Sequence, residues 1–311
     1  MGNLITTLSE TMIETPLVSV VVTTLNEEKN IENCLLSIKE QTYQNVEAIV
    51  IDNNSSDRTK ELSLKYTKKV YEKGPERSAQ RNYGMIEKSN GEYVMFVDAD
   101  MILAPYLIDS CAHHMKNSSD LALHITEIIL GTSFFSKVRR FERSFYDGTV
   151  IDGARFFNKE KFKEIGGFDE NISGPEDWDI DKKVKKIGKI GLLPKGKKPP
   201  SWEMSNFVFQ RGVDPNEYSA VIYHNESEFD LKQYLRKKGY YAKSLSRYAN
   251  KWDYDKDIRK QLGLYYRFIG VFIEQGKWKR LVFHPLLTIG MYFLRILVGL
   301  KFLMSKLARH E

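Results

Sequence analysis

Three apolar stretches rich in β-branched and aromatic residues, at 17–25, 46–52 and 92–98, each end in a polar turn. Runs of this length without polar alternation fit strands buried on both faces, as in a parallel sheet. A helical pattern follows each turn. After 17–25, residues 26–30 supply a cap and Ile31, Cys34, Leu35 and Ile38 recur at helical spacing. After 46–52, the turn Asn53 to Asp57 opens a helix through Tyr66, and Lys69 to Tyr71 is a short third strand. Residues 77–88 then form a helix and 92–98 the next buried strand. This alternation predicts an α/β fold: an open, mostly parallel sheet with helices on both faces.

From about residue 120 the alternation fails, and 121–131 fits either strand or helix. Gly166 to Asp169 is a turn, Asp177 to Ile187 a helix and Ile190 to Leu193 a strand. The segment 195–220, rich in Lys, Pro and Gly, is expected to be a long loop acting as an acceptor-side lid. After His224 the composition shifts to basic and aromatic, which places a boundary near residue 226.

The whole chain has 311 residues, 42% hydrophobic and 28% charged, a balance that argues for a mainly globular chain over disorder or a multi-span membrane protein. Its formal net charge of +6 fits attraction to nucleic acid, anionic lipid or a phosphate-bearing substrate. Only Cys34 and Cys111 occur, so neither a disulfide framework nor a thiolate metal site is expected. With no basic start and apolar run in the first fifteen residues, a cytoplasmic location is expected. Met1-Gly2 with Thr6 matches the N-myristoylation pattern. The most apolar stretch, 281–304, is interrupted by Arg295 and Lys301. His284, Thr288, Tyr292, Arg295 and Lys306 fall near one stripe, which predicts an amphipathic helix lying in a membrane interface rather than spanning it. A helix packed on the catalytic domain is the alternative.

The residues with most chemistry sit at strand ends. In open parallel sheets, ligands bind beyond the carboxyl ends of the strands. There the sequence places Asp98-Ala99-Asp100, a carboxylate pair able to hold Mn²⁺ or Mg²⁺ and, through it, a diphosphate. Asp52 ends the neighbouring strand and could accept a hydrogen bond from a nucleobase N–H. Glu176-Asp177 opens a helix, where the dipole favours acids.

Six motifs in order resemble family 2 glycosyltransferases over roughly residues 17–225: Val21 to Glu28, Asp52 to Asp57, Arg81 to Gly84, Asp98 to Asp100, Gly166 to Glu170 and Glu176 to Trp178. The resemblance implies the Rossmann-like GT-A fold, with a nucleotide-sugar half at 17–100 and an acceptor half at 101–225. An extension at 1–16 precedes it, and a basic, helical, membrane-associating region follows at 226–311. It also implies that Thr23, Leu25 and Glu27 line the nucleoside pocket and Asp52 reads the base. Arg81 would approach the diphosphate, Asp98 and Ala99 would lie near the ribose, and Asp100 with His224 would hold the metal. Asp177 would be the base that takes the acceptor's proton, with Glu176 and Trp178 on the acceptor side.

The implied reaction is inverting transfer from a UDP- or GDP-sugar to a lipid-linked or membrane-adjacent glycan acceptor, peripheral on the inner face of a membrane. No Gln-x-x-Arg-Trp motif of processive synthases occurs, so one sugar per encounter is expected. A soluble enzyme with a small-molecule or protein acceptor is the alternative. A nucleotidyltransferase should carry a Gly-rich loop where this chain has Leu25 to Glu28. A nucleic-acid binder would suit the basic, aromatic segment Tyr234 to Tyr248, but the strand-end acids would repel its ligand, so no nucleic acid is expected. Four acids kept in register argue against an inactive scaffold.

Overall fold

A computed structural model describes residues 15–241 and 244–307. The myristoylation pattern and most of the expected N-terminal extension lie outside the described residues. Seven strands form the main sheet in the order β3-β2-β1-β4-β8-β6-β9. They are β1 (Val18–Thr24), β2 (Val46–Asp52), β3 (Val70–Glu72), β4 (Tyr93–Asp98), β6 (Asp120–His124), β8 (Ala154–Asn158) and β9 (Lys189–Leu192). Three more, β5 (Met101–Leu103), β7 (Glu127–Leu130) and β10 (Ile222–Asn225), form a small sheet in the order β5-β10-β7.

The four strands β3, β2, β1 and β4 are parallel, as the βα alternation predicts. β8 runs antiparallel to both β4 and β6. All seven residues of β1 are buried, and the period-two alternation splits them between two cores. Val18, Val20 and Val22 join Ile31, Leu35 and Ile108 on one face, while Val21 joins Met85, Phe96 and Ile180 on the other. Helices on both faces therefore account for the unalternated apolar runs. The register pairs Thr24 with Asp52 and Thr23 with Asp98, so the strands run out along one edge. That edge carries the acids.

Residues 121–131, open to either assignment from sequence, belong to two strands that divide between the sheets. β6 lies in the main sheet between β8 and β9, and after Ile125 and Thr126 the chain enters the small one as β7. The expected helix 77–88 starts as Arg77–Asn82 and widens into a π turn at Tyr83–Lys88. The expected lid at 195–220 is corrected by its packing. It contains a helix, Ser205–Gln210, and buries Trp202, Met204, Val208 and Val213 on the small sheet beside Tyr223. Apolar burial on that scale fixes a segment in place.

Beyond Asn225 the chain is helical. The helix Phe134–Arg143 is a platform whose Val138 and Phe141 pack with Phe272, Met291 and Leu294 from the C-terminal helices. The apolar tail forms two helices, Lys279–Phe283 and Pro285–Leu307. They break at His284, where the following proline disfavours helical backbone. Of the stripe expected on the amphipathic tail, Thr288, Tyr292 and Arg295 turn inward, His284 is exposed, and the Lys306 side chain lies outside what the structure describes. Thr288 bonds the Leu281 carbonyl, Tyr292 the Phe268 carbonyl, and Arg295 pairs with Glu142 at 2.9 Å. The opposite stripe is apolar and faces outward, with Leu286 72%, Ile289 67%, Ile296 53% and Leu303 56% exposed.

Candidate active site

Asp98 ends β4 and receives a hydrogen bond from Thr23 Oγ1 at 3.2 Å across the β1–β4 register. Arg81 Nη2 lies 3.3 Å from the same oxygen, and Arg77 Nη1 lies 3.8 Å from the other. Burial would raise the Asp98 pKa, but the two guanidinium groups outweigh it and hold the carboxyl well below its usual range. Arg81 also donates to Asp177 Oδ1 at 3.0 Å. One guanidinium thus links a strand-end carboxylate to the first turn of helix Glu176–Ile187.

Asp177 side chain is 32% exposed, whereas Glu176 beside it is 3% exposed and bound by Arg77 at 2.9 Å and by the Gly174 amide. Burial and the Asp177 charge push the Glu176 pKa up against the pull of the arginines. Asp177 lines a cavity of about 190 Å³ with Gly153, Arg155 and Trp178. A Cβ built on Gly153 would stand 2.7 Å from the Asp177 Cβ, so only glycine leaves the carboxylate its place.

The antiparallel pairing of β10 with β5 sets His224 opposite Met101, beside Asp100. His224 Nε2 faces Asp100 Oδ2 at 3.1 Å, and its Nδ1 lies 2.7 Å from Glu127 Oε1. Asp100 Oδ1 is buried without a hydrogen-bond partner. Glu127 is anchored by Arg155 at 3.0 Å, and Arg155 and Arg143 overcome burial to hold its pKa far down. Imidazole, an orphaned carboxylate oxygen and a carboxylate on the second ring nitrogen suit a hard divalent cation. Among the described residues no three His, Cys, Asp or Glu side chains form a ready cluster. A cation there would need further ligands from substrate and water, as Mg²⁺ sites use.

The remaining expected residues are placed unevenly. Leu25, 49% exposed, and the half-buried Glu27 border the same edge. Burial, partly offset by Asn30, raises the Glu27 pKa. Asp52 is fully buried, and its two oxygens accept from the Ser55 amide at 2.8 Å and hydroxyl at 2.5 Å. The turn therefore accounts for much of what Asp52 does. Ala99 turns its methyl into the core instead of toward a donor. Arg81, 1% exposed and stacked 3.9 Å over Phe96, is enclosed rather than open to a diphosphate. Glu176 is likewise enclosed and not free for an acceptor, while Trp178 lines the cavity beside Asp177. Arg77, Glu127, Arg155 and Gly153 were not singled out from sequence. Glu127 and Arg155 sit where the strand pattern is ambiguous, and Gly153 acts only through a contact 24 positions on.

Residues 19–169 match the family model described as glycosyl transferase family 2. Putative glycosyltransferase EpsH of Bacillus subtilis is 32% identical over 114 residues, 35% of this chain and 32% of that protein. The chain therefore spans less than two thirds of that relative. Mannosyltransferase PcManGT from Pyrobaculum calidifontis, solved with GDP-Man and Mn²⁺, is 18% identical, with a TM-score of 0.55 over 94% of this chain and 89% of its own. TarS 1–349 of S. aureus, solved with UDP-GlcNAc, is 18% identical, with a TM-score of 0.51 over 91% and 81%. At that identity the likeness is one of fold. The family match covers the strands that carry Asp52, Asp98 and Asp100, and this segment, residues 19–169, belongs to glycosyl transferase family 2.

Proposed function

We propose that the chain is an inverting glycosyltransferase that moves one sugar from a UDP- or GDP-sugar to a lipid-linked or membrane-adjacent acceptor. The observation that carries this reading is the Arg81 bridge, which sets the partly exposed carboxylate of Asp177 against Asp98 at the edge of the parallel strands. Nucleotide sugars bound by the two fold neighbours support the donor class. Asp100 and His224, with Glu127 behind the imidazole, would hold Mn²⁺ or Mg²⁺. Such a cation supplies charge neutralisation for the diphosphate as it leaves.

The chain's own residues supply the rest. The acceptor oxygen forms a bond to the anomeric carbon as the bond to the diphosphate breaks, its electron pair leaving on the diphosphate. The hydroxyl proton passes to Asp177. Arg81 fixes Asp177 Oδ1 and Gly153 clears the space beside the side chain, which lines the cavity. Asp98, pinned by Thr23 and two arginines, forms a rigid floor next to the donor rather than a mobile ligand.

The tail supports the acceptor. Pro285–Met304 is long and apolar enough to cross a membrane by length and composition. Its Arg295, however, is 8% exposed and pairs with Glu142 of the protein body, which binds the helix lengthwise. An outward apolar stripe on a helix so held suits docking on the surface of a bilayer. Sugar nucleotides with UDP and GDP, each with and without Mn²⁺, test the reading by thermal shift, because a ligand of the native state raises the melting temperature. One nucleotide should stabilise the chain in a metal-dependent way. Absence of any shift across the series would overturn the reading.

A further inference from the structure

Next to the cavity at Asp177 lies a larger one of about 440 Å³, walled by the helix Phe134–Arg143, the helix Leu231–Tyr241 and the C-terminal helix. Tyr146, Ile151, Gly174 and Trp178 line both, so the two spaces share a wall. Four cations border the larger cavity: Arg139, Lys238, Arg267 and Arg295. The carboxylate in its wall, Glu142, is already committed. Arg295 reaches it at 2.9 Å, Arg139 at 3.0 Å and the Tyr146 hydroxyl at 2.6 Å.

Lys238 and Arg267 are left over. Both are partly buried and both face aromatic rings, Lys238 at 5.3 Å from Tyr234 and Arg267 at 5.4 Å from Trp178. Among the described residues neither side chain makes a hydrogen bond or an ion pair. Burial, reinforced by Arg139, pulls the Lys238 pKa down to about 8, and burial lowers that of Arg267 as well. Partly buried cations with no carboxylate in direct contact are costly unless an anion completes the site. A volume of this size accommodates a ligand head group.

The far rim of the cavity is apolar. Leu264 and Phe302 line it and are also 75% and 39% exposed. From them the exposed apolar surface continues through Tyr265 and Ile269 on one side and Leu303 and Met304 on the other. A molecule seated here would place an anionic group between Lys238 and Arg267 and an apolar tail over Leu264 and Phe302. Its other end would meet Trp178 and the cavity of Asp177. We propose that this cavity binds the phosphate of a lipid-phosphate-linked glycan acceptor and presents a hydroxyl of that glycan to Asp177. The proposal rests on the glycosyl-transfer reading and adds to it the acceptor's charge class and its path.

Dodecyl phosphate, kept below its micelle concentration, is the probe, with tryptophan fluorescence of the full chain as the readout. Saturable binding is expected, weakened at least about tenfold in Lys238→Gln and in Arg267→Gln, as loss of a charge-assisted hydrogen bond predicts. Lys238→Arg should restore most of it. Neutral dodecyl maltoside should not compete, and inorganic phosphate should compete weakly. Equal affinity in all variants, or competition by the neutral detergent, overturns the proposal. Inorganic phosphate binding as tightly as dodecyl phosphate overturns its lipid part. Stabilisation of the same variants by a sugar nucleotide with Mn²⁺ shows that they are folded with the donor site intact. A wild-type chain that a sugar nucleotide stabilises but that does not bind dodecyl phosphate overturns the acceptor proposal alone, whereas a wild-type chain that no sugar nucleotide stabilises overturns the parent reading.

Discussion

Asp177 keeps one oxygen on Arg81 and lines a cavity, while Glu176 next to it spends its charge on Arg77 and the Gly174 amide. Asp177→Asn retains size and hydrogen bonding but loses proton acceptance, so kcat should fall by roughly two to four orders of magnitude with donor affinity unchanged. A loss of donor affinity in proportion would make the residue structural. Gly153→Ala offers an independent check, because the new methyl would press on the Asp177 side chain at 2.7 Å. Its kcat should drop at least about tenfold, since small misplacements of a reacting group are costly. An unchanged kcat would show that the carboxylate's position is not used. Asp100→Ala removes the unpartnered Oδ1 together with the Oδ2 that faces His224. It should abolish Mn²⁺-dependent donor stabilisation while leaving the unliganded melting temperature within a few degrees, as expected away from the core. Asp98, Asp100 and Asp177 are legible in sequence because each closes a recognisable strand or opens a recognisable helix. Arg77, Glu127 and Gly153 act through partners far along the chain, and local pattern is blind to them.

At the scale of elements, the βα units 18–98 are legible because β1 and β4 are buried on both faces and cannot be mistaken for amphipathic helices. The β6–β7 segment is not, since two four- to five-residue strands leave the main sheet for the small one within one apolar run. The segment 195–220 misleads because its Lys and Pro suggest a solvated loop, yet Trp202 and Met204 anchor it. The tail is half legible. Its stripe of Tyr292 and Arg295 has the spacing of a solvent face but finds partners in the body, and the apolar stripe is the one left outside. Truncation before Leu281 would therefore strip Met291 and Leu294 from a packed core and report on stability. The outward face is tested better by Leu286→Asp with Ile289→Asp. Each side chain inserted in a bilayer is worth about 1.5–3 kcal/mol, so binding to phosphatidylglycerol-containing vesicles should fall more than about tenfold. Sugar-nucleotide stabilisation should persist in that variant. Vesicle binding equal to wild type would remove the membrane from the account.

The molecule as a whole is held between sheet and helices by buried charge as well as by apolar packing. His124, at the end of β6, lies 2.6 Å from Asp181 in helix Glu176–Ile187 and 3.7 Å from Asp152. Burial lowers its pKa, but the two carboxylates outweigh burial and raise it above the ordinary 6.5. A raised folded-state pKa gives stability that is complete below 6.5 and lost as pH rises through the folded value. Urea midpoints of the wild type should therefore decline from about pH 6.5 upward relative to His124→Gln, and parallel profiles would deny the linkage. The same helix carries Asp177, so this buried pair also helps fix the proposed base relative to the sheet. The claim that everything else serves is a single displacement at the anomeric carbon with Asp177 as base. Its most direct test is ¹H NMR of the sugar released from an α-linked donor as the chain turns it over with Mn²⁺, followed before mutarotation equilibrates the anomers. The account predicts that the β anomer appears first, and first appearance of the α anomer would contradict it.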